Sequence, residues 1–432
     1  MASITWNRDA AAHLYRRAGF GATAEEIDRA VAEGLEATLA RLTDLSVDNA
    51  ALQQRLTALN LDLTTLGGIA RWWVTRMIYT ARPLEERMTF FLHDHFATGF
   101  QKVADAGWML QQNELLRRFA LGSVTTLTIE ISRDPAMLRW LDNFLSRKEQ
   151  PNENYGRELL ELFTLGHGNY TEDDVMAAAR AFTGWTLSRE TRQFVYVDRF
   201  HDHGQKTFLG RTGDWNGDDI VRMACATPEH AHFLTRKLFE SFAYAPAEDD
   251  VVERLAAVYA SSGTSLRALV TAILTAPEMY SERAIWSRVK SPVEYAVAAA
   301  RQLRIEGDPS RVASGMLAAG GQVPFDPPDV DGWPEGLAWI NSGTILGRMN
   351  FASALCAALD PARLAAGSRI EAASQMVDLW LDRLGPLHVG LPTRAKLEQY
   401  LASGGGLSPQ NQTAKARGLA HLVLSLPEWQ MN

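Results

Sequence analysis

Apolar residues recur at helical spacing, at i, i+3, i+4 and i+7, through most of this 432-residue chain. Many of these segments also carry a start signal. Pro83 suits the first turn of a helix, and Thr23 and Thr171 each precede an acidic residue three positions on, as in a capping box. The sequence therefore predicts a mostly helical protein, with helices near residues 8–18, 23–42, 47–60, 66–81, 83–97, 105–121, 123–132, 134–146, 152–165, 172–183, 217–227, 228–243, 247–261, 264–275, 289–304, 309–319, 344–359, 368–384, 393–403 and 411–425.

Two stretches break the helical pattern. Residues 193–197 and 207–209 are β-branched and aromatic segments on either side of a turn, which predicts two short strands. Residues 320–343 combine glycines and prolines with aromatic side chains, as in loops that serve a function. We expect an all-α fold, one large multi-helix domain over residues 1–432 with a small β-hairpin insertion near 193–211. If this domain is divided, the hairpin joins lobes 1–190 and 212–432.

Charge and composition exclude several classes of protein. The formal net charge of −8 does not suit a nucleic-acid binder, which neutralises phosphates with clustered lysine and arginine. No run of 18 apolar residues is present, so we expect no membrane span. Cys225 and Cys356 belong to no CxxC pattern and are interpreted as ordinary buried thiols. The sequence as written predicts a cytoplasmic protein, or a periplasmic or secreted one if an export signal has been removed.

The stretch 150–182 holds the densest set of chemically useful residues. On a helical projection at about 100° per residue, Glu158 falls between Leu159 and Leu162. A carboxylate in such surroundings must be ion-paired, bound to a metal, or protonated with a raised pKa. Three arginines could supply the ion pair: Arg133, Arg157 and Arg180.

A protonated Glu158 can act as the general acid of a hydrolase while a second, ionised carboxylate acts as base or nucleophile. Asp94, Glu153 and Asp202 are the candidates for that second carboxylate. Glycoside hydrolysis divides the roles in this way. The sequence therefore favours a hydrolase of a polar polymer, with a glycan (a polysaccharide or oligosaccharide) as the expected substrate and no cofactor. Six residues are expected to bind this substrate: His93, Tyr155, Trp185, His201, Lys206 and Trp333.

Two other functions remain open on the same residues. His95, His201, Asp202 and Glu158 could hold a divalent metal that activates water, which predicts a metal-dependent enzyme such as an oxidoreductase. The chain could also be a non-catalytic scaffold or binding protein in which buried polar residues hold helices together. For either enzyme we expect a pocket walled by helices 83–97 and 152–165, the hairpin and the 320–343 loop.

Several short phrases along the chain carry a further signal: His13-Leu14 with 16–21, 91–98, 133–138 with 140–143, 151–162, 181–185, His201-Asp202 with 206–210, 290–294 and 332–334. Together they resemble a large bacterial family known as domain of unknown function 1800. The resemblance spans nearly the whole chain. It implies no chemistry directly, only a connection with extracellular polymer metabolism. The family phrase at the hairpin is similar to His201-Asp202 without a second histidine, so His203 is interpreted as incidental.

Overall fold

The computed structural model describes residues 4–364 and 372–432, and most of the regular structure in them is helical. The segment Leu159–Thr164 is π-helical and directly follows the helix Glu153–Glu158. The N-terminal part forms α1 (Arg8–Gly19), α2 (Ala24–Glu33), α3 (Leu35–Leu42), α4 (Ala50–Leu59), α5 (Leu66–Tyr79), α6 (Pro83–His95), α7 (Phe100–Val103), α8 (Ala106–Arg118), α9 (Val124–Arg133), α10 (Pro135–Trp140), α11 (Glu153–Glu158) and α12 (Glu172–Ala181).

The C-terminal part is helical as well. Within residues 4–364 and 372–432, no helix combines the length and the apolar character that crossing a membrane requires. Short 3-10 turns lie at Asn143–Leu145, Asp198–Phe200, Pro277–Tyr280, Gly336–Trp339 and Glu428–Gln430. The helices are α13 (Gly217–Cys225), α14 (Pro228–Phe242), α15 (Asp249–Ser261), α16 (Leu266–Leu274), α17 (Pro292–Gln302), α18 (Pro309–Ala319), α19 (Ser342–Ala357), α20 (Pro361–Leu364), α21 (Ala373–Arg383), α22 (Leu391–Ala402) and α23 (Gln412–Leu424).

Local sequence explains where many of these helices begin. Thr23 accepts a hydrogen bond from the backbone N–H of Glu26, and the Glu26 carboxylate accepts one from the backbone N–H of Thr23. Thr171 and Asp174 form the same reciprocal pair at the start of α12. Both predicted capping boxes are confirmed. Each one satisfies backbone N–H groups that a helix leaves without partners at its N-terminus.

Several predicted helices differ from the structure in their extent, and 152–165 is one of them, because it consists of α11 and the π-helical segment. The predicted helix 23–42 is interrupted at Gly34, whose φ of 85° is incompatible with a continuous right-handed helix. The predicted helix 134–146 ends at Trp140, and only a 3-10 turn follows. In the predicted helix 368–384, residues 368–371 lie outside the described residues, and α21 covers the remainder from Ala373 to Arg383.

Four short strands form two antiparallel hairpins: β1 (Trp185–Leu187) with β2 (Phe194–Tyr196), and β3 (Lys206–Phe208) with β4 (Arg211–Gly213). The two predicted strands exist as β2 and β3, but they do not pair with each other. Instead, β2 pairs with the preceding strand β1, and β3 pairs with the following strand β4. Leu209 and Gly210, both at positive φ, form the two-residue turn that closes β3 onto β4. The predicted fold class, all-α with a small β insertion, is confirmed.

Buried apolar residues form two clusters, and α6 contributes to both. Leu84, Met88 and Phe91 pack into the first cluster, whereas Phe90 packs into the second. Every residue of α6 except Asp94 is buried. Polar side chains on this helix must therefore find their partners inside the protein.

Glu86 shows how the interior satisfies such a side chain. This fully buried carboxylate accepts hydrogen bonds from Trp73 Nε1 at 3.0 Å, Arg76 Nε at 3.1 Å and Arg117 Nε at 2.8 Å. The network ties α5, α6 and α8 together and so fixes α6, the helix that carries Asp94.

Candidate functional site

A cavity of about 230 Å³ lies where α6 and α14 face the chain leading into α17 and the loop 331–339. The predicted walls 83–97 and 320–343 both contribute to it, whereas the helix 152–165 and the hairpin do not. Its lining includes Arg87, Asp94 and His95 from α6, Lys237 and Ser241 from α14, Arg288 and Glu294 from the segment around the start of α17, and Asp331, Trp333 and Glu335 from the loop.

Asp94 is half-buried, and its carboxylate faces a loop that closes on it. The backbone N–H of Trp333 donates to Oδ1 at 2.8 Å. Gly332 has a φ of 90°, and a Cβ there would lie 2.3 Å from the same oxygen, so this close approach requires glycine. Burial raises the pKa of Asp94 to about 6, although the bond from Trp333 acts in the opposite direction. Asp94 thus exchanges its proton at a pH about two units higher than an ordinary aspartate does.

Lys237 brings a positive charge to the cavity. Its ammonium group makes no hydrogen bond or ion pair within the described part of the chain, and the Phe233 ring centroid lies 5.5 Å from Nζ. Burial lowers the pKa of Lys237, while the nearby charges of Asp94, Glu335 and Asp331 raise it. The charges of three carboxylates therefore act on Lys237, but none of these carboxylates forms an ion pair with its ammonium group.

Two arginines line the cavity and differ in how they are held. Arg87 donates to the backbone oxygen of Arg17 at 3.1 Å, and to the backbone oxygen and hydroxyl of Ser241 at 3.1 and 3.2 Å. Arg288 Nη1 is buried and has no hydrogen-bond acceptor among residues 4–364 and 372–432. Arg87 is a fixed part of the wall, and Arg288 is free to donate to a ligand.

Two further nitrogen atoms of cavity residues are buried without a partner in the described structure: His95 Nδ1 and Trp333 Nε1. The other ring nitrogen of His95 lies 3.2 Å from the backbone oxygen of Phe163. A buried polar atom left without a hydrogen bond costs about 1–3 kcal/mol. Such atoms at a cavity indicate a place where a polar ligand can be bound.

Glu158 lies half-buried at the junction of α11 and the π-helical segment. Burial raises the pKa of Glu158, and the charges of Glu161 and Asp331 raise it further. It does not line the cavity, but Asp331 lies within electrostatic range of both Glu158 and Lys237. None of the three candidate arginines holds it: Arg133 pairs with Asp218, Arg157 with Glu172 and Arg180 with Asp202.

The other two predicted carboxylates lie away from the cavity. Glu153 is exposed in the first turn of α11. Asp202 accepts bonds from Arg180 Nε at 2.6 Å and Nη2 at 3.2 Å, and from the backbone N–H of Gly204 at 2.8 Å. The hydrogen bond from Arg180 lowers the pKa of Asp202 to about 2. Asp202 is therefore an ionised carboxylate that is already fully engaged.

The predicted substrate-binding residues fall in three places. Trp333 lines the cavity, and His93 lies buried behind it, with the two rings 5.5 Å apart. Tyr155 and Trp185 are buried in the first apolar cluster, where the Tyr155 hydroxyl donates to Ser132. These two aromatic rings pack the core and do not face the cavity. The last two residues lie at the second hairpin: His201 and Lys206.

His201 belongs to a group of potential metal ligands at that hairpin. It stands with His203 and Asp214, and one donor atom from each residue lies within 4.8 Å of the others. Among the residues that the structure describes, these three are the potential metal ligands that lie this close together as a group of three or more. The other members of the predicted metal set lie outside it: His95, Asp202 and Glu158.

Residues 13–431 match the family described as Protein of unknown function (DUF1800). The chain belongs to this family. The resemblance inferred from the sequence phrases is therefore confirmed over nearly the entire length. Comparisons with curated proteins and with solved structures gave no match.

In this DUF1800 protein, three of the phrases that carry the resemblance meet at the cavity: 91–98, 290–294 and 332–334. They contribute Asp94, Glu294 and Trp333 respectively. The cavity is thus a point of convergence for segments that are far apart in the sequence.

The sequence prediction missed several cavity residues, among them Lys237, Arg288 and Glu335. Glu335 lies two positions after Trp333, inside a loop that the sequence did mark as functional, so the signal was present there. Lys237 and Arg288 follow no motif, and each resembles an ordinary polar position of a helix or its flank. Only the tertiary structure, which brings α6, α14 and the segment before α17 to one cavity, gives them their role.

Proposed function

We propose that this protein is a hydrolase of a polar polymer, with a glycan as the favoured substrate, and that Asp94 is its general acid. The observation that carries the proposal is the half-buried Asp94 carboxyl in a cavity lined by polar and aromatic groups. A general acid works best when its pKa lies near the operating pH, and burial raises that of Asp94 to about 6. This role was predicted for Glu158, but Asp94 lines the cavity and Glu158 does not.

Glycoside hydrolysis also needs a second carboxylate as base or nucleophile. Glu335 and Asp331 line the same cavity, and both are exposed to solvent. The charge of Glu335 contributes to the raised pKa of Asp94, which places the two groups within electrostatic range. A half-buried acid beside an exposed carboxylate is the contrast of environments that separates proton donor from base. Glu335 is accordingly our candidate for the second role.

The remaining cavity groups suit a sugar. Trp333 and Trp339 offer apolar ring surfaces, while Lys237, Arg288 and the indole N–H of Trp333 offer donors to hydroxyl oxygens. A volume of about 230 Å³ is below the roughly 300–1,000 Å³ of drug-sized sites. The cavity would therefore hold a single monomer of a polymer, with the rest of the substrate outside.

The test is the release of reducing ends from cellulose, xylan, chitin, alginate and polygalacturonate. Wild type is compared with Asp94→Asn, Glu335→Gln and, as a matched control, Asp173→Asn, which alters an exposed carboxylate on α12. Loss of a general acid lowers the rate by about 10²–10⁴-fold. We expect such a loss for Asp94→Asn and wild-type activity for Asp173→Asn. Equal release by wild type and Asp94→Asn, or no release from any of the five polymers, would contradict the proposal.

A non-catalytic binding protein is the second candidate function. The unpartnered atoms Arg288 Nη1, His95 Nδ1 and Trp333 Nε1 favour it, because they support binding whether or not a bond is cleaved. Pull-down of the same insoluble polymers by wild type and Asp94→Asn separates the two. Binding by both proteins without any release of reducing ends would favour the binding protein.

A further inference from the structure

A cluster of nitrogen and oxygen donors lies at the second hairpin, apart from the Asp94 cavity. His201 and His203 follow the 3-10 turn Asp198–Phe200, and Asp214 directly follows β4. The two imidazole rings are 4.8 Å apart, and one donor atom from each of the three residues lies within 4.8 Å of the others. The short β3–β4 hairpin is what brings Asp214 back to the histidines.

His201 is held in the tautomer that a metal requires. It is 3% exposed, and its Nδ1 lies 2.9 Å from the backbone oxygen of Thr183, so this nitrogen carries the hydrogen and donates it. The lone pair is then on Nε2, for which the described residues provide no hydrogen bond. Histidine ligands of metals are typically oriented by such a bond from the other ring nitrogen to a carbonyl or carboxylate.

His203 and Asp214 have the same kind of outer support. His203 Nε2 lies 3.2 Å from Asp198 Oδ1, which also accepts a bond from the Tyr196 hydroxyl. This leaves His203 Nδ1 facing Asp214 Oδ2, at 3.4 Å. The other oxygen of Asp214 accepts a bond from the buried Lys206 ammonium at 3.0 Å. In each of the three side chains, one polar atom is therefore fixed by a hydrogen bond, and another polar atom faces the neighbouring side chains.

We propose that His201 Nε2, His203 Nδ1 and Asp214 Oδ2 bind one divalent transition-metal ion of the Zn²⁺ type. Two imidazole nitrogens and one carboxylate oxygen suit such an ion, whereas Mg²⁺ and Ca²⁺ prefer all-oxygen sites. Ligand atoms about 2.1 Å from a tetrahedral zinc lie about 3.4 Å from one another. His203 and Asp214 are exposed, so small side-chain rotations can bring the donors from within 4.8 Å to that spacing.

The ion would fasten the β3–β4 hairpin to the segment that follows the 3-10 turn. This role concerns stability and is independent of glycan hydrolysis at Asp94. It also assigns a function to His203, which the sequence alone marked as incidental.

The experiment uses the full chain, freed of any affinity tag and stripped with a chelator. Binding of Zn²⁺ is measured by calorimetry and elemental analysis, with Mg²⁺ as the comparison. Wild type is compared with His203→Gln and Asp214→Asn, two exposed positions whose replacement leaves the core intact. The matched control is His232→Gln, because His232 is an exposed histidine that pairs with Glu253 at 2.7 Å elsewhere on the surface.

We expect one Zn²⁺ per chain in wild type and His232→Gln, and at least tenfold weaker binding in His203→Gln and Asp214→Asn. At a free Zn²⁺ concentration 100 times the dissociation constant, the thermal midpoint of wild type should rise by about 3 °C. Circular dichroism of the two variants without metal should match that of wild type. Failure of wild type to bind Zn²⁺, or binding that His203→Gln and Asp214→Asn leave unchanged, would overturn the proposal.

Discussion

Replacement of Glu86 by glutamine tests whether a buried charge network holds α5, α6 and α8 together. The carboxylate accepts four hydrogen bonds: one each from Trp73 and Arg76, and two from Arg117. Glutamine keeps the shape of the side chain but offers one oxygen, and its amide N–H groups would face other donors. Two buried guanidinium groups would also lose their shared negative charge.

The size of the loss follows from the pKa. Burial by itself would raise the pKa of Glu86, but the charges and hydrogen bonds of Arg117 and Arg76 outweigh it and lower the value from 4.5 to about 2. Since a tenfold change in an equilibrium constant is worth about 1.4 kcal/mol, ionised Glu86 stabilises the fold by roughly 3 kcal/mol. Breaking a buried pair by removing one partner typically costs about 3–5 kcal/mol. We expect Glu86→Gln to lower the free energy of unfolding by about 3–5 kcal/mol.

Urea unfolding at pH 7, followed by tryptophan fluorescence, measures this loss. The control is Glu172→Gln, which alters an exposed carboxylate paired with Arg157 and should cost much less, because solvent screens exposed ion pairs. Because the folded-state pKa of Glu86 is depressed, its contribution is present above pH 4.5 and is lost as the pH falls through about 2. The difference between wild type and Glu86→Gln should therefore shrink in acid. A loss at pH 7 no larger than that of the control would refute the reasoning.

Three further predictions concern the cavity. Folding raises the pKa of Asp94 from 3.8 to about 6. The protonated carboxyl therefore stabilises the folded state below pH 3.8, and this contribution is lost as the pH rises through 6. Asp94→Asn, which cannot ionise, should raise the thermal midpoint at pH 8 and not at pH 4. If Asp94 is the proton donor, hydrolysis should fall about tenfold per pH unit above pH 6, as a pH–rate profile would show. Gly332→Ala should cost about 1–3 kcal/mol in urea unfolding, since its methyl group meets Asp94 at a strained φ. Gly336→Ala, also at positive φ but with no atom within 4 Å of the added Cβ, should cost less, and equal losses would contradict the clash.

Helix positions could be predicted wherever a local signal marks them. Thr171 and Asp174 form the expected capping box, because a capping box needs only residues within one turn of each other. The surroundings of Glu158 were harder to predict, since the helical projection assumed about 100° per residue throughout. The π-helical segment that begins at Leu159 changes this rotation, and Leu165 N donates to Leu160 O, five residues back. Glu158 is consequently half-buried and not enclosed between leucines.

The candidate site was harder to predict from the sequence than the helices were. Asp94 was named among the candidate carboxylates, but nothing in the sequence distinguished it from Asp202. The difference is one of environment: an arginine and a backbone N–H lower the pKa of Asp202, whereas burial raises the pKa of Asp94, which has a single backbone N–H as donor. Both environments are created by contacts across the fold.

The sequence by itself determined the all-α class, the starts of many helices, the irregular loop near Trp333 and the membership of a family. These depend on periodicity and capping, which operate over a few residues. Only the tertiary structure decided that Asp94, Lys237 and Arg288 share a cavity, and that His201, His203 and Asp214 approach one another. Burial and through-space charge set the chemistry of such groups, and both arise when segments far apart in the chain pack together.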